Sequence, residues 1–322
     1  MKLVVFSVCK NEEENIGKVM DLVPKKIEGI SEIIKVVVDD GSTDNTSGVA
    51  KEHGAIVFRN NNSKKLAYGF QFALDNILEM DFDIAVNIDG DMQFDPAEIS
   101  NLVKPIIDGK ADFVAANRFI NPQTGEFQKP NNMPISKFYG NILGAKVVSM
   151  LTNKKFDDVT SGYRAYTRKV LLSININSKE TYTQETFQLL ASKRFDIVQV
   201  PVSVKYFKER KSRVVTSVFS YIAKSTLNIL RFFRDFAPLK FFTILSLIPS
   251  VPGVFASVFV VIHWLNTGTF TPYKFLGFAG IYLITIGIII FILGIVADMI
   301  DRIVNNQEKI LYYSKKNYFD RK

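Results

Sequence analysis

Residues 84–93 of this 322-residue chain read IAVNIDGDMQ, a short apolar run followed by two aspartates and a glutamine. The run at 84–88 predicts a β-strand, and the polar residues predict its carboxyl end. Asp89 and Asp91, one residue apart, can approach one divalent cation together, and Gln93 adds a neutral oxygen. Oxygen ligands suit Mg²⁺ or Mn²⁺, so the segment predicts a metal site at a strand end. The alternative is a pair of turn-forming aspartates between a strand and a helix.

Strand and helix patterns alternate on both sides of this segment. Strands are predicted at 3–9, 33–38, 55–58, 84–88 and 113–116, and helices at 11–21, 43–52, 65–80 and 96–107. Farther along, helices are predicted at 135–152 and 184–194, and a last strand at 197–206. The alternation predicts an α/β fold, a Rossmann-like, mostly parallel sheet with flanking helices. Ligands of such sheets bind beyond the carboxyl ends of the strands, where the acidic pairs at 39–40 and 89–91 both fall.

The acidic segment at 39–46 reads DDGSTDNT. Asp39 could accept hydrogen bonds from a base or a ribose at the sheet edge. Asp44 could cap the following helix, so we interpret Asp44 and Thr46 as mainly structural. A structural role for Asp39 and Asp40 is the alternative.

Charge and composition limit the chemistry. The chain has a formal net charge of +8, one cysteine (Cys9) and two histidines (His53 and His263). One cysteine cannot form an intrachain disulfide, no zinc ligand set is recognisable, and histidine acid–base chemistry is not expected. Carboxylates and cations must therefore carry the chemistry. The positive charge gathers beside the apolar segments, which favours a membrane surface over nucleic acid as the partner.

Two long apolar stretches, at 241–265 and 275–300, predict a hairpin of transmembrane helices, because about 20 such residues cross the hydrocarbon of a bilayer. Basic residues flank the hairpin, so both ends are predicted in the cytoplasm. The N-terminal apolar run stops at Lys10, unlike a signal peptide, and the domain that it opens should stay in the cytoplasm. The predicted organisation is a catalytic domain at 1–213, an amphipathic juxtamembrane helix at 214–237, two transmembrane helices at 238–302 and a basic tail at 303–322. For the juxtamembrane helix, an ordinary packed helix is the alternative.

Three segments carry a family resemblance: VCKNE at 8–12, VDDGS at 38–42 and DGDMQ at 89–93, in this order. They resemble the family 2 glycosyltransferases with a GT-A fold, and among these the dolichol-phosphate mannose synthases and bacterial polyprenyl-phosphate glycosyltransferases. The resemblance implies a nucleotide pocket formed by Val8, Lys10, Asn11, Glu12, Asp39, Asp40, Asp89 and Gly90. It also implies a metal held by Asp89, Asp91 and Gln93. The chain departs from the family pattern at Lys10, where relatives often carry Tyr, and near 62–67, where they often have a glycine-rich segment.

The segment DVTSG at 158–162 resembles the acceptor-side motif of the same family. A lipid phosphate is already anionic at neutral pH and needs positioning more than deprotonation. Asp158 is therefore interpreted as a residue that orients cations or deprotonates a residual monoanion; a structural cap or turn is the alternative. Residues predicted to bind the phosphates or the acceptor are Arg118, Lys137, Arg164, Glu185, Arg210, Ser212 and Arg213. The predicted catalytic residues are Asp158, Asp91 and Arg210.

The resemblance implies inverting transfer of a sugar from a UDP- or GDP-linked donor to undecaprenyl or dolichyl phosphate. It further implies Mg²⁺ or Mn²⁺ as cofactor, an integral membrane protein with its catalytic domain in the cytoplasm, and a possible homo-oligomer. Two alternatives stay open. One is a transferase that acts on a lipid or glycan hydroxyl, and the other is a non-enzymatic membrane scaffold with a degenerate transferase domain.

Overall fold

The computed structural model describes residues 1–61, 66–176, 182–206, 231, 233–235 and 237–320. The chain divides into two compact units, one formed by Met1–Val218 with Tyr312–Lys322 and the other by Phe219–Leu311. The predicted amphipathic helix at 214–237 lies almost wholly outside the described residues. The predicted boundaries of the catalytic domain, the membrane helices and the basic tail stay a prediction.

The first unit contains a seven-stranded sheet in the order β3-β2-β1-β4-β6-β5-β7. Its strands are β1 (Lys2–Cys9), β2 (Glu32–Asp39), β3 (Ile56–Arg59), β4 (Ile84–Asn87), β5 (Phe113–Asn117), β6 (Arg164–Thr167) and β7 (Ile197–Pro201). Neighbouring strands run parallel except at β6, which is antiparallel to both β4 and β5. The predicted α/β fold with a mostly parallel sheet is confirmed.

Helices flank this sheet. They are α1 (Ile16–Leu22), α2 (Thr46–Glu52), α3 (Leu66–Leu78), α4 (Ile99–Ile107), α5 (Ile135–Thr152), α6 (Arg168–Ser173) and α7 (Thr183–Ser192), and a 3₁₀ turn, Pro96–Glu98, precedes α4. Both faces of β1 are buried, as expected for a central parallel strand. On one face Leu3 and Val5 join a core cluster with residues of α1 and α4. On the other, the rings of Phe6 and Phe70 of α3 lie 6.0 Å apart.

The short elements β6 and α6 were not predicted. The four residues of β6 contain no long apolar run, and the strand is stabilised by partners on both sides that the local sequence does not show. The last strand was predicted at 197–206 but ends at Pro201. Beyond it the chain crosses to the β4 side, where Val204 forms an antiparallel bridge with Phe94.

In the second unit, helix α8 (Pro238–Thr267) and the greater part of helix α9 (Lys274–Phe319) are long and apolar enough to cross a membrane. Only 17% and 11% of their most apolar windows are buried, which is unlike the core helices of a soluble protein. Glycines allow the two helices to approach closely: a Cβ on Gly253 would lie 2.8 Å from the carbonyl oxygen of Gly280. The predicted pair of apolar helices is confirmed, with α9 continuing beyond the predicted span.

Candidate active site

The loops after β1 and β2 are held together by reciprocal hydrogen bonds. The backbone N–H of Asn11 donates to the hydroxyl of Ser42 at 2.9 Å, and the N–H of Thr43 donates to the side-chain oxygen of Asn11 at 2.8 Å. Asn11 adopts a left-handed conformation with φ 55°, which Asn tolerates better than most residues. The N–H of Glu12 donates to the hydroxyl of Thr46 at 2.9 Å. Asn11 and Thr46 thus join the loop after β1 to the loop after β2 at the edge of the sheet.

The two aspartates at the end of β2 are buried and satisfied within the protein. Asp39 is fully buried and accepts hydrogen bonds from the N–H of Ser42, at 2.7 Å, and from the hydroxyl of Ser47. Burial opposes ionisation, but these hydrogen bonds outweigh it and hold the pKa of Asp39 below its usual value. Asp40 accepts from the amide of Asn60 at 2.7 Å. These bonds leave each Asp39 oxygen able to accept another hydrogen bond, so its contact with a base or ribose stays a prediction.

The segment after β4 forms a tight turn around two carboxylates. Met92 has φ 58°, and the backbone and side-chain N–H groups of Gln93 donate to the two oxygens of Asp91 at 3.1 and 2.8 Å. Burial, followed by the charge of Asp91, raises the pKa of Asp89 to about 6. Gly162 lies against Asp89, since a Cβ there would come 2.9 Å from its Oδ1. The turn therefore brings two mutually repelling carboxylates into a half-buried position.

The donor set fits a divalent cation whose coordination is completed by a ligand. Within the described part of the chain, no three His, Cys, Asp or Glu side chains gather as a closed metal site. Asp89 and Asp91 offer hard oxygens, and a cation between them would relieve their repulsion. Mg²⁺ is commonly held by one or two carboxylates plus substrate phosphates. The residues present match that kind of site, with Gln93 as a further oxygen donor.

A buried ion pair lies on the other side of the site. The Nε and Nη2 of Arg118 donate to the two oxygens of Asp158 at 2.6 and 2.8 Å. Both side chains are buried, and Thr160 donates its N–H to Asp158 at 3.0 Å. Burial opposes ionisation, but the charge and hydrogen bonds of Arg118 outweigh it and lower the pKa of Asp158. An ionised, fully engaged carboxylate is a weak base, so the geometry favours the cation-orienting role.

Two further side chains border this pair. The Nη1 of Arg118 donates to the hydroxyl of Tyr206 at 3.0 Å, and the ammonium of Lys137 lies 5.0 Å from the centre of the Tyr206 ring. Sequence reasoning missed Tyr206. The only local signal was its position beside the basic segment, and its place in the site depends on how the chain crosses after β7.

The family model described as glycosyl transferase family 2 matches residues 4–174, more than half of the chain. This chain belongs to glycosyl transferase family 2. It is a glycosyltransferase, and the predicted family is confirmed. The UDP-N-acetylglucosamine–dolichyl-phosphate N-acetylglucosaminyltransferase of Methanococcus voltae is 30% identical over 198 residues, which are 55% of this chain and 77% of that protein. The polyprenol monophosphomannose synthase of Mycolicibacterium smegmatis is 26% identical over 221 residues, covering 65% of this chain and 78% of that protein.

A solved structure supports the fold of this glycosyltransferase. Glucosyl-3-phosphoglycerate synthase from Mycobacterium tuberculosis, in complex with Mn²⁺ and UDP-glucose, aligns with a TM-score of 0.53 and 19% identity. The alignment covers 71% of this chain and 78% of that chain. The predicted GT-A fold is confirmed.

Arg164, which is predicted to bind a phosphate in this glycosyltransferase, lies deep in the protein. Arg164 is fully buried in β6, and its Nε and Nη2 donate to the carbonyls of Ser161 and Thr183 at 2.6 and 2.8 Å. Its guanidinium lies against aromatic rings, at 5.1 Å from the centre of Phe187. Arg164 therefore ties β6 to the segments around it, while its buried Nη1 has no hydrogen-bond partner among the described residues. Its contact with a phosphate stays a prediction.

The remaining predicted residues divide into three groups. Val8 lies near the end of β1, Gly90 lies in the turn after β4, and Lys10 is exposed on the loop after β1. Glu185 is half-buried in the first turn of α7. Arg210, Ser212 and Arg213 fall outside the described residues.

Proposed function

We propose that this glycosyltransferase moves a sugar from a nucleotide sugar to a polyprenyl phosphate, with Mg²⁺ or Mn²⁺ as cofactor. The observation that carries the proposal is that carboxylates and cations lie close to one another beyond the end of β4. Burial and then the charge of Asp91 raise the pKa of Asp89, whereas the charges of Arg118, Arg164 and Lys137 lower it. Carboxylates can hold the metal ion that binds a diphosphate. Cationic side chains can bind a second phosphate directly, without a metal.

In the proposed reaction the nucleotide sugar binds beyond the carboxyl ends of β1, β2 and β4, as ligands of parallel sheets do. Asp91 and Gln93, with Asp89, would hold the cation, which stabilises the departing nucleoside diphosphate when bound. Arg118 and Lys137 hold the acceptor phosphate and direct one of its oxygens at the anomeric carbon. The new C1–O bond forms as the bond to the diphosphate breaks, so the anomeric configuration inverts.

No strong base is required in this scheme. A phosphate monoester has a second pKa near 6, so at neutral pH most of it is already the dianion, whose oxygens are nucleophilic. Asp158 serves as the counter-ion that fixes Arg118, not as the proton acceptor. The catalytic contribution of these residues is positioning and charge stabilisation.

Membrane anchoring belongs to the same proposal. The two apolar helices α8 and α9 are of the length that crosses a bilayer, and a polyprenyl phosphate resides in the bilayer. The basic flanks favour both ends of the hairpin on the cytoplasmic side. The names of the Methanococcus voltae and Mycolicibacterium smegmatis relatives refer to dolichyl phosphate and to a polyprenol, which supports an acceptor of this class.

The test uses the full chain, purified in detergent, with labelled UDP- and GDP-sugars, polyprenyl phosphate and Mn²⁺. An acid-labile sugar phospholipid is the expected product. Chelation with EDTA should abolish its formation, and added Mn²⁺ or Mg²⁺ should restore it. A product in which the sugar is attached to an alcohol would instead identify a hydroxyl-directed transferase. Binding of nucleotide sugars without turnover on a broad set of acceptors would identify a scaffold.

A further inference from the structure

Tyr206 is held at the site by two loops that are remote in sequence. The N–H of Lys205, the preceding residue, donates to the carbonyl of Gln93 at 2.8 Å. The amide of Asn132 donates to the carbonyl of Tyr206 at 3.2 Å. The backbone of Tyr206 is thereby attached to the turn that carries the carboxylates and to the loop before α5. Such attachment suits a side chain whose position matters.

The hydroxyl of Tyr206 is able to donate a hydrogen bond. Its oxygen accepts a hydrogen bond from the Nη1 of Arg118, so its own O–H points to another acceptor. Among the residues that the structure describes, none accepts that hydrogen. The side chain is half-buried, and burial raises its pKa, which keeps the hydroxyl protonated at neutral pH.

Arg118 offers a second donor at the same place. Of its five N–H groups, two bind Asp158, one binds Thr160 and one binds Tyr206. The fifth, on Nη1, has no partner within the described residues. It lies on the nitrogen that is 3.0 Å from the Tyr206 oxygen, so one anionic oxygen could accept from both groups.

The local charge fits a phosphate. Asp158 compensates Arg118, whereas Lys137 has no carboxylate at ion-pair distance in the described part of the chain. Burial, and then the nearby charge of Arg118, lower the pKa of Lys137. The charged form of such a lysine is disfavoured, and an anion that binds beside it stabilises that form.

We propose that the Tyr206 hydroxyl donates a hydrogen bond to an oxygen of the acceptor's phosphate monoester, in one site with Arg118 and Lys137. The inference rests on the proposed function and extends it. The diphosphate of the donor carries phosphate oxygens too, but Asp89 and Asp91 supply a metal site for that group. The acceptor phosphate is thus the ligand left for these three donors.

The decisive variant is Tyr206→Phe, which keeps the ring beneath Lys137 and removes only the hydroxyl. Loss of a hydrogen bond to a charged oxygen should raise the KM for polyprenyl phosphate about tenfold or more. The KM for the nucleotide sugar should not change. Tyr139→Phe is the matched control, because Tyr139 lies on the same helix as Lys137 and is 65% exposed. An unchanged lipid KM, or a rise in the donor KM instead, would overturn the proposal.

A binding measurement separates this inference from the proposed function. Farnesyl monophosphate and farnesol are titrated into the detergent-solubilised wild type, Tyr206→Phe and Tyr139→Phe, without any donor. Tighter binding of the phosphate than of the alcohol, weakened about tenfold only in Tyr206→Phe, supports the site even if no sugar is transferred. Equal binding of the phosphate to all three proteins refutes it even if transfer is observed. A thermal unfolding curve for each variant checks that the fold is intact.

Discussion

The acidic and basic sides of the site are built in different ways. On the acidic side, Asp89, Asp91 and Gln93 belong to one five-residue turn, and the supporting loops follow neighbouring parallel strands. On the basic side, four residues that are far apart in sequence meet: Arg118, Lys137, Asp158 and Tyr206. A local turn can provide a metal site because adjacent oxygens suffice. A phosphate site whose arginine is paired with a carboxylate needs residues from distant parts of the chain to pack together.

The sharpest way to break the acidic side is Asp91→Ala. Loss of the carboxylate should remove the cation and lower kcat about 10³-fold, similar to the loss of a main electrostatic group in other enzymes. Turnover at saturating Mn²⁺ and direct Mn²⁺ binding measure the effect. Asp95→Ala is the control, because Asp95 is exposed and caps the 3₁₀ turn through the N–H of Ala97 at 2.9 Å. Full turnover by Asp91→Ala would contradict the metal assignment.

Asp158→Ala tests the basic side. It leaves the buried Arg118 charge without its carboxylate, and such losses cost about 3–5 kcal/mol of unfolding free energy. The low end is expected, since Thr160 and Tyr206 still accept from Arg118. Thermal and denaturant unfolding provide the measurement. Asp157→Ala, which loses a bond from Asn117 at 3.2 Å, is the control and should cost far less.

The same pair has a predicted pH dependence. Because the pKa of Asp158 is lowered in the folded state, the pair stabilises the protein above the ordinary aspartate value of about 3.9 and loses this contribution as the pH falls through the lowered pKa. The stability difference between wild type and Asp158→Ala should therefore be constant near neutral pH and shrink below about pH 4. A difference that grew on acidification would show that Asp158 is not ionised in the pair.

Gly162→Ala probes the junction between the two sides. The new Cβ would lie 2.9 Å from Asp89 Oδ1, so the carboxylate must move. A small displacement of a metal ligand should lower kcat about tenfold, with the KM for polyprenyl phosphate unaffected. Gly144→Ala is the control, since its new Cβ meets only the flexible end of Gln184 at 3.0 Å. Equal activity of the two variants would show that Asp89 is not constrained there.

The smallest effect is expected at Lys10, on the acidic side. Lys10 is exposed on the loop after β1 and belongs to the predicted nucleotide pocket. Lys10→Tyr adds an aromatic face for base stacking, which is worth about 0.5–1.5 kcal/mol, or a few-fold decrease in the KM for the nucleotide sugar. Steady-state kinetics with the donor varied measure it. Lys10→Leu, which lacks the ring, separates stacking from the loss of charge.

Much of this molecule was predictable from sequence. The strands β1, β2 and β4 are short apolar runs that end in polar turns, so both the sheet and the place of the acidic residues follow from local pattern. The hairpin follows from two long uncharged stretches. The strand β6 could not be predicted from the sequence, because its antiparallel insertion between β4 and β5 depends on its pairing partners. The burial of Arg164 could not be predicted either, because the residue type does not show which face of a strand an arginine occupies.

By itself, the sequence determined which groups could carry the chemistry, the oxygen ligands after β4 and a surplus of cations, because hydrophobic period and residue type act locally. Only the tertiary structure decided which of those groups are available. Asp39 and Arg164 are engaged inside the protein, Asp158 is a counter-ion, and Tyr206 lies at the site. The physical reason is that a buried polar group must be satisfied by neighbours. Those neighbours come from distant parts of the chain, so the role of a buried polar group depends on contacts that no local segment encodes.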